Sequence, residues 1–199
     1  MINPALHAFP SEASLIGQMV VGYGEIDISM VSAVGKAMGM MFQLLDALEE
    51  VQSEMRRIVV VQKLARGKFV ALGLADEFDQ AISAMEFCRE TRNYFAHCHY
   101  GDFGDGVLVT VKAKDMFAMP GSIDDLNWRR HTVETLTALE QYFTHCRAYW
   151  LWLDQKITHP DHFSILWPGA VARPPRDGGR WERQSRKREA SMVRVPSGE

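Results

Sequence analysis

The feature of this chain that most constrains its fold is the helical spacing of its apolar residues. Long segments place an apolar side chain at every third or fourth position, which puts these side chains on one face of an α-helix. Four segments show this spacing, at about 12–40, 41–70, 76–98 and 122–158. Long helices joined by short connections favour an antiparallel bundle. The sequence therefore predicts an all-α fold, an up-and-down helical bundle.

One segment between the third and fourth long helices departs from the helical pattern. It reads HYGDFGDGVLVTVKAKD, and its glycines favour turns, whereas the run Val107–Val111 is rich in β-branched residues. This combination predicts a short β-hairpin. Ser122, followed three positions later by Asp125, resembles a capping pair and predicts the start of the fourth helix.

Length, cysteine content and hydropathy indicate the class of protein. A chain of 199 residues suits one domain with a sizeable core. Its three cysteines are too few, and odd in number, for a disulfide framework, so a reducing compartment is expected. The N-terminal residues lack the pattern of a signal peptide, and no apolar run approaches the ~20 residues of a membrane span. We therefore expect a cytoplasmic protein that does not contact a membrane.

Charge is distributed unevenly along the chain. The net charge is −3, but residues 168–199 contain eight Lys/Arg and four Asp/Glu, while the other 14 basic and 21 acidic residues lie in 1–167. The sequence therefore predicts a helical domain at 1–165 and a basic, disordered tail at 166–199. Such a tail can attract nucleic acid or another anion.

The third predicted helix carries a narrow polar stripe. With about 100° of rotation per residue, and Ile82 at the origin, Asn93, Glu86, His97 and Glu90 fall at about 20°, 40°, 60° and 80°. The stripe is therefore expected to face water, a partner or a substrate. The opposite arc is expected to face the core and comprises Ala84, Phe87, Cys88, Thr91, Tyr94, Phe95 and Cys98.

Arg92 lies outside this stripe, about 140° around the helix from His97. On a straight helix the two side chains do not point together, unless the long arginine closes part of the gap or a second subunit brings another copy near.

Arginine, asparagine and histidine suit one kind of phosphate chemistry. RNA cleavage by internal attack of the 2′-hydroxyl needs a proton acceptor, a proton donor and a cation near the phosphate. Histidine accepts or donates protons near neutral pH, and arginine binds phosphoryl oxygens through paired hydrogen bonds. Asparagine can orient the histidine or contact the phosphate. This chemistry requires no metal and no cofactor.

The stretch RNYFAH, Arg92 to His97, resembles the motif of HEPN-domain proteins. That motif is an arginine followed, after four to six residues, by a histidine, often with a polar residue directly after the arginine; His99 also falls within this window. The placement is similar too, late in a long helix that is followed by a hairpin and another long helix. The similarity covers roughly 12–158.

The resemblance implies a HEPN-like domain at 1–165 with a metal-independent endoribonuclease site at a homodimer interface. Arg92 and His97 are then the catalytic pair, and Asn93 is the accessory polar residue. The implied partners are RNA, a second copy of the chain, and an antitoxin or regulatory protein. The alternative is a noncatalytic HEPN-like interaction or scaffold module.

Two other site chemistries have weaker sequence support. A zinc site is conceivable at His97, Cys98, His99, His145 and Cys146, but the chain has no C-x-x-C or H-x-x-x-H spacing. Cys98 neighbours two histidines but belongs to the predicted core arc, where cysteine usually acts as a small apolar residue. We therefore expect neither a metal site nor a cysteine nucleophile.

Overall fold

The computed structural model describes residues 3–118, 121–123, 126–161 and 163–181. Most of these residues are helical, and a small antiparallel sheet lies near the middle of the chain. The elements, in order, are α1 (Pro4–Ala8), α2 (Pro10–Met38), α3 (Met41–Glu49), α4 (Glu54–Ala71), α5 (Ala75–His97), β1 (Cys98–Gly101), β2 (Leu108–Lys112), α6 (Ala113–Ala118), β3 (Arg129–His131) and α7 (Val133–Thr158).

The predominantly helical prediction is confirmed, but two helix boundaries were wrong. The predicted second helix is two helices, because the chain leaves helical geometry after Glu50 and Ser53 caps a new helix, accepting a hydrogen bond from the Arg56 amide. The predicted start of the fourth helix at Ser122 is too early. Thr132 caps α7 instead, through a reciprocal pair of hydrogen bonds with Thr135. Asp125 lies outside the described residues.

The segment after α5 contributes to a three-stranded sheet, where a short two-stranded hairpin was predicted. β1 and β2 pair in antiparallel register, and β2 also pairs with β3, so the sheet has the order β1-β2-β3. Thr110 lies at the centre, opposite Tyr100 on one side and Arg129 on the other. The all-α class therefore omitted a third strand, formed by the residues immediately before α7.

The core is built mainly where α2 packs along α7. Met19 and Met30 of α2 and Leu139 and Trp150 of α7 are completely buried. A polar contact links the same two helices, since the buried Asp154 carboxylate accepts hydrogen bonds from Ser32 Oγ and Lys36 Nζ, each at 2.5 Å. No helix in the described part of the chain is long and apolar enough to cross a membrane.

The predicted tail begins as a packed segment. Trp167 stacks on Tyr149 with ring centroids 4.6 Å apart, and its Nε1 donates to Gln80 Oε1 at 2.9 Å. Trp181 stacks on Phe103 at 4.3 Å. The part of the tail from 166 to 181 therefore contacts α5 and α7 through Trp167 and the β1–β2 connection through Trp181. The rest of the tail, 182–199, lies outside the described residues.

Candidate functional site

A cleft of about 690 Å³ opens beside the last turns of α5. Its walls come from α5, from the junction of β2 and α6, from β3 and the residues just before it, and from the packed segment at 176–177. The charged residues that line it are Arg89, Lys112, Lys114, Arg129 and Arg176, against Glu90, Asp115 and Asp177. Cations therefore outnumber carboxylates in the cleft, although the whole chain has a net charge of −3.

Two of the three predicted site residues line this cleft. Asn93 is half-buried there, and His97, the last residue of α5, is exposed. Glu90 of the polar stripe lines the cleft as well. On the opposite side of α5, Phe87 and Cys88 are buried in the core, as the helical spacing predicted. Three of the four stripe residues thus line a cavity that is open to solvent.

Arg92, the third predicted residue, does not line the cleft. Its guanidinium forms an ion pair with Glu54 at the start of α4 and lies 5.1 Å from the centroid of the Tyr23 ring on α2. Its other terminal nitrogen, Nη1, donates to Asn93 Oδ1 at 2.8 Å. Within one chain, Arg92 and His97 therefore point to different sides of α5.

The surroundings of Arg92 form a polar cluster between α2, α4 and α5, consisting of Tyr23, Asp27, Glu54, Arg57 and Arg92. Burial, followed by the nearby carboxylates, raises the pKa of the Tyr23 phenol. Burial also raises the pKa of Asp27, and the Arg57 guanidinium, 3.4 Å from that carboxylate, opposes the shift. The charge of Arg92 is thus compensated by Glu54 within its own chain.

A buried hydrogen-bonded chain supports another wall of the cleft. Tyr94 lines the cleft, and its hydroxyl lies 2.5 Å from Thr110 Oγ1, which lies 2.7 Å from His131 Nε2. Burial raises the pKa of Tyr94 to about 12, and burial lowers the pKa of His131 to about 4. Both side chains are therefore neutral at pH 7. This network holds the β2–β3 wall against α5.

The arginines of the cleft have acidic neighbours. Arg176 Nη2 donates to Glu90 Oε2 at 2.6 Å, and this hydrogen bond is the main cause of a lowered pKa at Glu90. Arg89 Nη2 lies 3.6 Å from Glu90 Oε1, and Arg129 Nη1 lies 3.9 Å from Asp177 Oδ1.

The two cleft lysines, Lys112 and Lys114, have no ion pair among the described residues. They are exposed, and their charge is uncompensated by a neighbouring carboxylate within salt-bridge distance. They are therefore the cleft cations most available to an anion.

Sequence reasoning missed the lysines and Arg129. The local signals were present as VKAKD at the end of the predicted hairpin segment and as WRRH shortly before α7. Short basic runs of this kind occur on many surfaces. Here the pairing of β2 with β1 places Lys112 opposite Cys98, directly after α5, and the pairing of β3 with β2 adds Arg129.

The structure gives no support to the weaker site chemistries. No group of three or more His, Cys, Asp or Glu side chains in the described ranges is arranged to hold a metal ion. Cys146 is buried beside Cys88, and His145 Nε2 lies 3.3 Å from the Gly169 carbonyl oxygen, so these residues contact the core and the packed segment. Burial raises the pKa of Cys98 to about 11, which disfavours its nucleophilic thiolate at pH 7.

No protein-family model, curated protein or solved structure matches this chain. The cleft and its side chains are therefore the basis on which a function is proposed.

Proposed function

We propose that the protein is a metal-independent endoribonuclease that binds RNA in the α5 cleft. The observation that supports this most strongly is that Asn93 and His97 open into a cleft with an excess of positive charge, although the chain as a whole is acidic. A local basic groove attracts a polyanionic backbone even when the net charge of the protein is unfavourable. A histidine at its edge can then transfer protons near neutral pH.

The proposed reaction is attack by the 2′-oxygen of RNA on the adjacent phosphorus. His97 removes the proton of the 2′-hydroxyl, the P–O5′ bond breaks, and the leaving 5′-oxygen takes a proton from an acid. The products are a 2′,3′-cyclic phosphate and a 5′-hydroxyl. Cations of the cleft stabilise the negative charge that develops on the phosphoryl oxygens.

This reaction needs an acid as well as a base, and we propose that a homodimer supplies both. Two copies that share one RNA strand bring two His97 side chains to it, one as acceptor and one as donor. We propose further that the long helices within 1–165 form a HEPN-like up-and-down bundle in which α5 carries the motif. We also propose that the protein acts in the cytoplasm, a reducing compartment that suits its three free cysteines.

Cleavage of mixed RNAs in the presence of a chelator tests this function. General acid–base catalysis contributes about 10²–10⁴-fold, so His97→Ala should slow cleavage by a factor in that range. His99→Ala is the matched control, because His99 is also exposed but does not line the cleft. Equal cleavage by wild type and His97→Ala, or no cleavage by either, would overturn the proposal.

A noncatalytic HEPN-like interaction module is the second candidate. It is favoured by the ion pair that occupies Arg92, the arginine of the motif, and by the exposed apolar side chains Ile28 and Phe42, which are 71% and 78% accessible. This alternative predicts that no RNA is cleaved and that self-association, or binding to a regulatory protein, survives His97→Ala. Sedimentation of wild type and of a Phe42→Ser variant measures the self-association.

A further inference from the structure

Glu54, Arg92 and Asn93 form a polar chain that runs from α4, across α5, to the cleft. Glu54 of α4 pairs with Arg92, and Arg92 Nη1 donates to Asn93 Oδ1 at 2.8 Å. Arginine has only hydrogen-bond donors, so the asparagine atom that faces it must be the carbonyl oxygen and not the amide nitrogen. The contact therefore selects one of the two orientations of the Asn93 side-chain amide.

The selected orientation leaves the amide nitrogen of Asn93 for the cleft. Asn93 lines the cleft, and its Nδ2 donates to no protein atom within the described residues. Asn93 Nδ2 is also not one of the buried side-chain atoms that lack a hydrogen-bond partner. A primary amide with its oxygen held on one side presents two N–H donors on the other, and phosphate oxygens are strong acceptors.

Glu54 holds the Arg92 guanidinium in the position from which it donates to Asn93 Oδ1. The Arg92 and Glu54 side chains are 22% and 33% exposed, and the Tyr23 ring lies against the guanidinium. The planar guanidinium can contact a carboxylate with one nitrogen and an amide oxygen with another, whereas the ammonium of a lysine is a compact point charge on a more flexible stem. Without this support the amide is free to turn its oxygen towards the anion.

We propose that Arg92 is a positioning residue, which with Glu54 orients the Asn93 amide so that its N–H groups bind a non-bridging phosphate oxygen of RNA in the cleft. This rests on the proposed function and assigns Arg92 a different role from direct contact with the phosphate. Arg92 then acts on RNA through Asn93.

A double-mutant cycle separates the two roles of Arg92. Binding of a fluorescent 2′-O-methyl oligoribonucleotide, which cannot undergo attack by its 2′-oxygen, is measured by anisotropy for wild type, Arg92→Lys, Asn93→Ala and the double variant. Loss of a hydrogen bond to a charged group should raise Kd on the order of tenfold for Asn93→Ala, and by nearly as much for Arg92→Lys. The double variant should be no weaker than Asn93→Ala alone.

Matched variants and a spectroscopic readout complete the test. Arg66→Lys alters the exposed Arg66–Asp79 ion pair outside the cleft and should leave Kd within about twofold. In ¹H–¹⁵N spectra, the side-chain NH₂ pair that disappears in Asn93→Ala should shift when the oligoribonucleotide is added to wild type. The same shift should be reduced in Glu54→Ala, which provides a second route if Arg92→Lys does not fold.

The outcomes distinguish this inference from the proposed function. If wild type binds RNA but the effects of Arg92→Lys and Asn93→Ala add, Arg92 contacts RNA independently and the inference is wrong. It is also wrong if Arg92→Lys binds as well as wild type while Asn93→Ala does not. If wild type binds no RNA at all, the proposed function fails and the inference fails with it.

Discussion

Removing the two unpaired lysines of the cleft should change how RNA binding depends on salt. Lys112 and Lys114 are exposed, line the cleft and have no carboxylate partner among the described residues, so each can neutralise one phosphate. Binding of a phosphate releases condensed counterions, and the slope of log K against log[salt] is about −0.7 per phosphate for a single strand. The double variant Lys112→Ala/Lys114→Ala should therefore have a slope that is shallower by about 1.4.

This difference is large enough to measure directly. For a fourfold increase in salt, a slope difference of about 1.4 means that wild type loses about sevenfold more affinity than the variant. The assay is anisotropy of a 2′-O-methyl oligoribonucleotide over a series of salt concentrations, with circular dichroism to confirm that the variants fold. The three cleft arginines with acidic neighbours should contribute less than the lysines to the salt dependence of wild type, because carboxylates already partly compensate their charge.

Lys63→Ala/Lys68→Ala is the matched control for this prediction. It removes the same charge from two exposed positions of α4, which do not line the cleft. Its slope should equal that of wild type. If both double variants change the slope equally, RNA is attracted by overall charge and not by the cleft, and the placement of the binding site is refuted.

Three further predictions concern the structure that supports the cleft. Burial lowers the pKa of His131 from 6.5 to about 4, so between these pH values the unfolded chain binds a proton that the folded chain does not. The free energy of unfolding should therefore fall by about 3 kcal/mol as pH decreases from about 6.5 to 4. Urea titrations in which His131→Gln shows the same fall would contradict this. Asp154→Ala removes the acceptor of Ser32 and Lys36 and should lower the free energy of unfolding by about 2–3 kcal/mol in urea; a loss below about 0.5 kcal/mol would show that the contact contributes little. Thr132→Ala removes the N-cap of α7 and should cost about 1 kcal/mol by the same measurement, whereas an unchanged midpoint would indicate that the cap is dispensable.

The direction of the polar stripe was predictable because it depends on one helix. α5 is continuous from Ala75 to His97, so counting about 100° per residue was enough to separate Asn93 and His97 from the buried Phe87 and Cys88. The same count separated Arg92 from His97.

The partner of Arg92 was not predictable in this way. Glu54 can reach Arg92 because helical structure is interrupted between α3 and α4, and α4 begins at Glu54. The sequence pattern joined these two helices into one, since their apolar residues follow a nearly continuous helical spacing. A capping serine at Ser53 was the available signal, but one serine is weak evidence against a long periodic segment.

The basic walls of the cleft depend on contacts between distant parts of the chain. Arg129 reaches the cleft through the pairing of β3 with β2, and Arg176 through a segment that the charge pattern assigned to a disordered tail. Trp167 and Trp181 hold that segment to the body by aromatic stacking. Composition indicated a basic tail, but the stacking partners of its tryptophans are set by the tertiary fold.

The chemical ends of RNA fragments test the central claim most directly. The full chain is incubated with a defined oligoribonucleotide in chelator, and the products are identified by mass spectrometry. Cleavage through His97 predicts 2′,3′-cyclic phosphate and 5′-hydroxyl ends for wild type and His99→Ala, with the rate reduced by about 10²-fold or more for His97→Ala. Fragments with 5′-phosphate and 3′-hydroxyl ends, or an intact oligoribonucleotide with wild type, would contradict the claim.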